Sequence, residues 1–136
     1  MLNGTFYNDA FSASEKERII KSKIDNSVQQ GSPNPYHQQD GNNTEDYVFL
    51  LSYKEAESYF PAADLYAPNP SRVAKPTAYV LARNEEALKD GVNSNWWLRS
   101  PGYQTATLAV GNDGRLYAIL ATSGYAGVRP AIWIML

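Results

Sequence analysis

The chain has 136 residues, 43% of them hydrophobic and 19% charged, with a formal net charge of −2. That length supports one domain with one sizeable core, and the composition is that of an ordinary globular protein. Lysine and arginine are scattered, which leaves no electrostatic footprint for nucleic acid, and the lack of any cysteine excludes disulfides, thiolate nucleophiles and thiolate metal sites.

Residues 1–11 form a short polar and aromatic opening, and no signal leader is read ahead of it. Ser12 and Glu15 then make a capping box. Ile19, Ile20 and Ile24 follow at helical spacing, so the pattern predicts an amphipathic helix over 13–24. Residues 25–45 are rich in Asn, Gln, Gly, Ser and Pro and read as a long loop. It holds the sole histidine, His37, which stands without cysteines or clustered carboxylates and reads as a solvent-facing loop residue.

Residues 46–51 (DYVFLL) read as a short strand. Ser52 and Glu55 form a second capping box that opens a short helix, which Pro61 must stop. Four prolines between 61 and 76 predict a loop. Thr77 can cap a helix to about Arg83, and 85–89 can add a turn closed by Gly91. The last third changes period. Residues 96–99 (WWLR) read as a strand stopped by Ser100-Pro101-Gly102. Segments 105–110 and 115–120 alternate about Asn112-Asp113-Gly114, the signature of a hairpin. Residues 127–134 (GVRPAIWI) read as a closing strand in which Pro130 implies an edge or a bulge. Helices first and strands last predict an α+β class, with helices packed on a twisted antiparallel sheet. No internal repeat occurs, and no apolar run is long enough to cross a bilayer.

Three stretches carry a family resemblance: LNGTFYNDAFSASEKERI at the start, DYVFLLSYKEAESYF in the middle, and WWLRSPG followed by GVRPAIWI at the end. Together they resemble an uncharacterised bacterial domain family of gut Firmicutes with the signature WWLRSPG…GVRPA. That family is similar in layout to the formylglycine-generating-enzyme branch of the C-type-lectin-like fold. The resemblance implies a single C-type-lectin-like domain over 1–136, short of the N-terminal portion and strand usual in the family. Enzymes of that branch use paired cysteines with copper, and a related branch uses clustered histidines with iron; neither set is present, so their chemistry does not transfer. Calcium-dependent lectins are echoed only by Pro68-Asn69 and Gly111-Asn112-Asp113. The chain is therefore expected to be no enzyme and to take no cofactor or metal.

The same fold carries the variable proteins of diversity-generating retroelements, in which adenine-directed mutagenesis randomises a stretch between fixed motifs. Here that stretch is YQTATLAVGNDGRLYAILATSGYA. Tyr103, Thr105, Thr107, Asn112, Tyr117, Thr122, Ser123 and Tyr125 are residue types that such mutagenesis of Asn codons yields; they are also ordinary strand and turn residues.

Trp96 and Trp97 are adjacent and face opposite ways in a strand. Either both are buried, or one fills the core while the other stacks on a sugar or peptide. Arg99 and Arg129 lie in the two framework motifs and can tie carbonyls and carboxylates together, with Asp46 or Glu55 as partner; the alternative is an anion-binding pair. Ser100 lacks a base and a strained elbow, so it is no nucleophile. The sequons at Asn3 and Asn42 carry little weight.

The expected function is ligand binding through the C-terminal sheet and its loops, by Tyr103, Gln104, Thr105, Thr107, Asn112, Arg115, Tyr117, Ser123 and Tyr125, with Trp96, Trp97, Arg99 and Arg129 as structural support. The partner is a protein or a glycan, not nucleic acid, and membrane insertion is not expected. Cell-surface, extracellular and phage-associated settings all fit. Two other readings stay open: a fixed structural or adhesive module of a larger surface protein, and a divergent formylglycine-generating-like enzyme.

Overall fold

Both capping boxes form. In this computed structural model, which describes residues 1–34, 40–62, 64, 66–83 and 92–136, Ser12 caps α2 (Ala13–Lys16) and Ser52 caps α3 (Tyr53–Tyr59). In each, the serine hydroxyl accepts from the N3 amide while the glutamate reaches back to the cap amide. Helix α1 (Tyr7–Ala10) precedes them, and α4 (Ala78–Arg83) follows Thr77, whose hydroxyl accepts from the Val80 amide at 3.3 Å. Pro61 stands two residues beyond the end of α3, as its missing N–H requires. His37 and the turn predicted over 85–91 lie outside the described residues.

The predicted helix over 13–24 is not continuous. It ends at Lys16, and the chain turns into β1 (Ile19–Ile20) and β2 (Ser22–Ile24). Strand β1 pairs antiparallel with β8 (Trp133–Ile134), and β2 pairs antiparallel with β3 (Thr44–Asp46). Branched isoleucines lose rotamer freedom in a helix and fit a pleated surface. The deciding partner of Ile19, however, is Ile134 at the far end of the chain, which local spacing cannot reveal.

Residues 46–51 likewise form no single strand, because their backbone groups are shared among three partners. The Asn3 side chain accepts from the Tyr47 and Val48 amides at 2.6 and 2.9 Å. Phe49 exchanges hydrogen bonds with Ala131, and Leu51 O accepts from the Arg99 amide. The closing segment is split in the same way: β7 (Ala126–Gly127) joins the main sheet, Ala131 bridges to Phe49, and β8 joins β1. Pro130, with no N–H to donate, sits at the break.

The main sheet has the order β6-β5-β4-β7, with β4 (Asn95–Pro101), β5 (Ala106–Val110) and β6 (Leu116–Leu120) antiparallel in sequence and β7 parallel to β4. Strand β4 runs on through Ser100 and Pro101, past the predicted stop, with a register shift between Trp97 and Pro101. Alternation puts Trp96, Leu98, Leu108, Val110 and Leu116 on one face, where they form the core with Tyr53 and Ala56 of α3. The class is α+β, a curled mixed sheet with few short helices. Strand β6 ends beside Thr105, while β7 begins beside Asn95. Residues 121–125 must therefore carry the chain back across the sheet, from one edge strand to the other.

Candidate functional site

The hairpin between β5 and β6 turns as a three-residue loop. The Gly114 amide donates to Gly111 O at 2.8 Å, and the Gly111 amide donates to Arg115 O at 2.8 Å. Gly114 takes φ +85°, whereas Asn112 stays at negative φ. A type I turn closed by a left-handed glycine is the common three-residue solution. The tip is held from two sides. Asn69 donates its amide to Asp113 O at 2.9 Å, and Asn95 Oδ1 accepts from the Asn112 amide at 2.8 Å.

On the sheet face turned away from the core, the register sets Trp97, Ala109 and Tyr117 side by side across three strands. Ala109 is fully buried between the half-buried Trp97 and Tyr117. Tyr117 continues into a hollow of about 280 Å³ bounded by Asn95, Gly111, Asn112, Asp113 and Arg115. Asp113 Oδ2 accepts from Arg115 Nε at 2.7 Å, which fixes the guanidinium at the rim. Burial, and then the Asp113 charge, push the Tyr117 phenol above its ordinary value, so it stays a neutral donor and acceptor at physiological pH. The hollow thus offers an aromatic wall, two amides, a phenol and a cation engaged on one side only.

The structure does not bring the nine predicted contact residues into one patch. Asn112, Arg115 and Tyr117 share the tip hollow. Ser123 and Tyr125 line a separate depression of about 420 Å³ beside the outer edge of β6. Tyr103, Gln104 and Thr105 form the β4–β5 turn at the other end of the hairpin, where Gln104 Nε2 donates to the Tyr103 hydroxyl at 2.9 Å. Thr107 spends its hydroxyl on Ser100 O at 3.1 Å. A hairpin with five-residue arms separates its two ends by roughly 17 Å. Gln104 holds φ 51°, the one positive value among described non-glycine residues. Gln104→Gly is expected to raise stability by about 1 kcal/mol by relieving the left-handed strain; a urea midpoint equal to or below wild type would refute this.

The four framework residues have separate roles. Trp96 is 2% exposed and its Nε1–H donates to Arg72 O at 3.0 Å; Trp97 is half-buried on the opposite face. Arg99 grips Glu55 with both Nη atoms, the Nη2–Oε1 bond being 2.9 Å. Its remaining donors go to Leu50 O, Asp25 O and Asn26 Oδ1. Of the two acids proposed as its partner, Glu55 is the one it meets; Asp46 instead binds Asn3 and Thr44. Arg129 lies over the Trp96 ring at 4.9 Å and the Phe60 ring at 5.6 Å. Ser100 Oγ accepts from the Tyr53 amide and donates to Gln30 O, an arrangement that welds α3 to β4.

The calcium-lectin echoes are otherwise engaged. Asn69 Oδ1 accepts from the Ser71 amide and hydroxyl, and its Nδ2 donates to Phe60 O and Pro61 O. The sequence reading missed Asn95 and Asn69 as builders of the tip. Asn95 carried a local signal, a polar residue directly ahead of an apolar strand. The backbone contact of Asn69 carried none, because it spans 44 residues of chain to Asp113.

Among the described residues, no group of three or more His, Cys, Asp or Glu is placed to hold a metal ion, and no helix is long and apolar enough to cross a membrane. No curated protein and no solved structure matches the chain. One family model does, over residues 1–136, and by that match the chain belongs to DUF6273, a domain family of unknown function.

Proposed function

We propose that the protein is a non-enzymatic ligand-binding domain of C-type-lectin-like architecture, whose contact surface is the outward side of the β5–β6 hairpin. The observation that carries this reading is one of placement. All nine candidate contact residues keep accessible surface, while Leu108, Val110 and Leu116 between them are sunk into the core. Positions of that kind can change their side chains without disturbing packing, the property a recognition surface on a rigid scaffold needs. The tip hollow is the anchor of the surface. Tyr117 supplies stacking area at low entropic cost, and Asn112 and Arg115 supply directional hydrogen bonds. The ligand is a protein or a glycan.

The same placement supports the retroelement reading, since diversification is tolerated only at positions outside the core. Sequencing the DNA beside the gene tests that part: a near-copy of the codons for 96–129, differing almost only at adenines and next to a reverse transcriptase, is the expected finding. Its absence removes diversification and leaves a fixed binding surface.

Binding itself is tested by screening the protein on glycan and surface-protein arrays beside a variant carrying Asn112→Ala, Arg115→Ala and Tyr117→Ala. Every specific partner is expected to lose at least about tenfold in affinity, given that a few central anchors carry most binding energy. Partners that hold the variant as tightly as wild type would move the site away from the hairpin tip.

A further inference from the structure

A second opening in the molecule lies away from the hairpin tip, between the segment leading into α4 and the β4–β7 edge of the sheet. It is a groove of about 440 Å³, within the range of small-molecule sites. Val80, Trp96 and Val128 give it apolar walls, and Lys75, Ser94 and Arg129 give it polar ones. No carboxylate is among its lining residues that the structure describes.

Arg129 is the unusual member. Its guanidinium is half-buried and held flat by Trp96 and Phe60. Among the described residues it makes no ion pair, and its buried Nη1 has no hydrogen-bond partner. Arg99 and Arg115, by contrast, each hold a carboxylate, Glu55 and Asp113. Stacking on two rings fixes the position of Arg129 without using any of its N–H donors.

A second arginine is tied to the same two residues by hydrogen bonds. Arg72 is fully buried, and its Nε donates to Phe60 O at 2.8 Å while its carbonyl accepts from Trp96. Its Nη1 and Nη2 have no hydrogen-bond partner among the described residues. Burial lowers its pKa, against the attraction of Tyr53 and Glu57. Arg129 and the exposed Lys75 thus put positive charge on the lining of one groove, in a chain whose net charge is −2. An uncompensated, partly buried cation is costly unless it acquires a charged partner.

We propose that this groove is a second binding site, for a small ligand that carries an oxyanion, carboxylate or phosphate, on an apolar body. Arg129 anchors the oxyanion, Lys75 adds a screened charge at the rim, and Val80 and Val128 receive the apolar part. Planar two-donor recognition by a guanidinium suits either oxyanion.

The test is a titration of the whole chain followed through the Trp96 indole and Val128 amide resonances, with phenylacetate, phenyl phosphate and the neutral 2-phenylethanol as probes. At least one anion is expected to give saturable shifts at both resonances, with the neutral probe at least about tenfold weaker, as loss of a charge-assisted hydrogen bond requires. The stronger of the two anions identifies the oxyanion. Arg129→Met is expected to weaken that anion by about tenfold or more, and Lys75→Met by about threefold, as for an exposed charge. If Arg129→Met does not fold, Lys75→Met at its exposed position and the neutral probe decide alone. No saturable shift with either anion, equal binding of the neutral probe, or affinity unchanged in the lysine variant would overturn the proposal.

Discussion

Gly114→Ala is expected to destabilise the protein by about 4 kcal/mol. Two independent effects add. The residue holds φ +85°, where an L side chain costs on the order of 1–3 kcal/mol. A Cβ there would also stand 1.9 Å from Asn69 O and 2.7 Å from Asn69 C. Those atoms are backbone, and they are pinned: the Asn69 amide donates to Asp113 O and its side chain ties to Phe60, Pro61 and Ser71. Relief would require the 69–72 segment to leave the hairpin tip, an overpacking cost of about 1–3 kcal/mol. Gly124 is the control. A Cβ added to it would meet nothing within 4 Å, and its φ is not positive, so Gly124→Ala should fall within about 0.5 kcal/mol of wild type. Urea unfolding of both variants settles the matter; similar midpoints for the two would refute the docking of Asn69 against the turn. Because Asn112 and Arg115 share the tip turn with Gly114, the variant should also weaken any ligand that binds the tip hollow.

Removing the Arg99–Glu55 pair from one side is expected to cost as much. The side chains are only 12% and 23% exposed. Arg99 also serves two carbonyls and Asn26, so Arg99→Met strands a largely buried carboxylate and several acceptors at once. A loss of about 3–5 kcal/mol follows. Glu55→Gln keeps the helix cap and should cost less. The double variant should be more stable than the sum of the two singles implies, because the carboxylate left stranded by Arg99→Met is then gone; strict additivity in that cycle would show that the pair contributes nothing through mutual contact.

The pH dependence has a definite sign. Burial raises the Glu55 carboxyl, but hydrogen bonds from Arg99 and the Ser52 amide, together with the Arg99 charge, outweigh it and hold the group below its ordinary value. A folded-state value below the unfolded one means that the unfolded chain binds more protons in the acid range. The stabilisation from Glu55 is therefore fully present above the ordinary glutamate range and is lost as pH falls through the lowered folded value. Glu55→Gln should flatten that part of the acid limb of a stability–pH curve. An unchanged acid limb would mean that Glu55 titrates normally.

Several features of this protein were legible in the sequence because they depend on a few neighbouring residues. The two capping boxes need only a serine and a glutamate three positions apart. The β5–β6 hairpin needs alternation on both sides of a glycine-bearing turn, and the stop after α3 needs one proline. The opposite facing of Trp96 and Trp97 follows from strand geometry alone. The α+β class followed from the order of such elements. The accessible surface of the candidate contact residues followed from their polarity and their alternation with Leu108, Val110 and Leu116.

What tertiary structure alone decided involves partners far apart in the chain. Ile19 and Ile20 satisfy a helical period, but β8 at the other terminus offers strand partners, and long-range pairing overrides the local pattern. Val48, Phe49 and Leu51 divide their hydrogen bonds among Asn3, Ala131 and Arg99, and no local pattern encodes such a division. The nine candidate contact residues are consecutive enough to suggest one patch, yet the stiffness of a paired hairpin holds its two ends apart. Only folding set Asn95 and Asn69 against the tip and laid Arg129 over Trp96 and Phe60 on the wall of a groove. The physical reason is the same in each case: side-chain type fixes what a residue can bond to, and the path of the chain fixes what comes within reach.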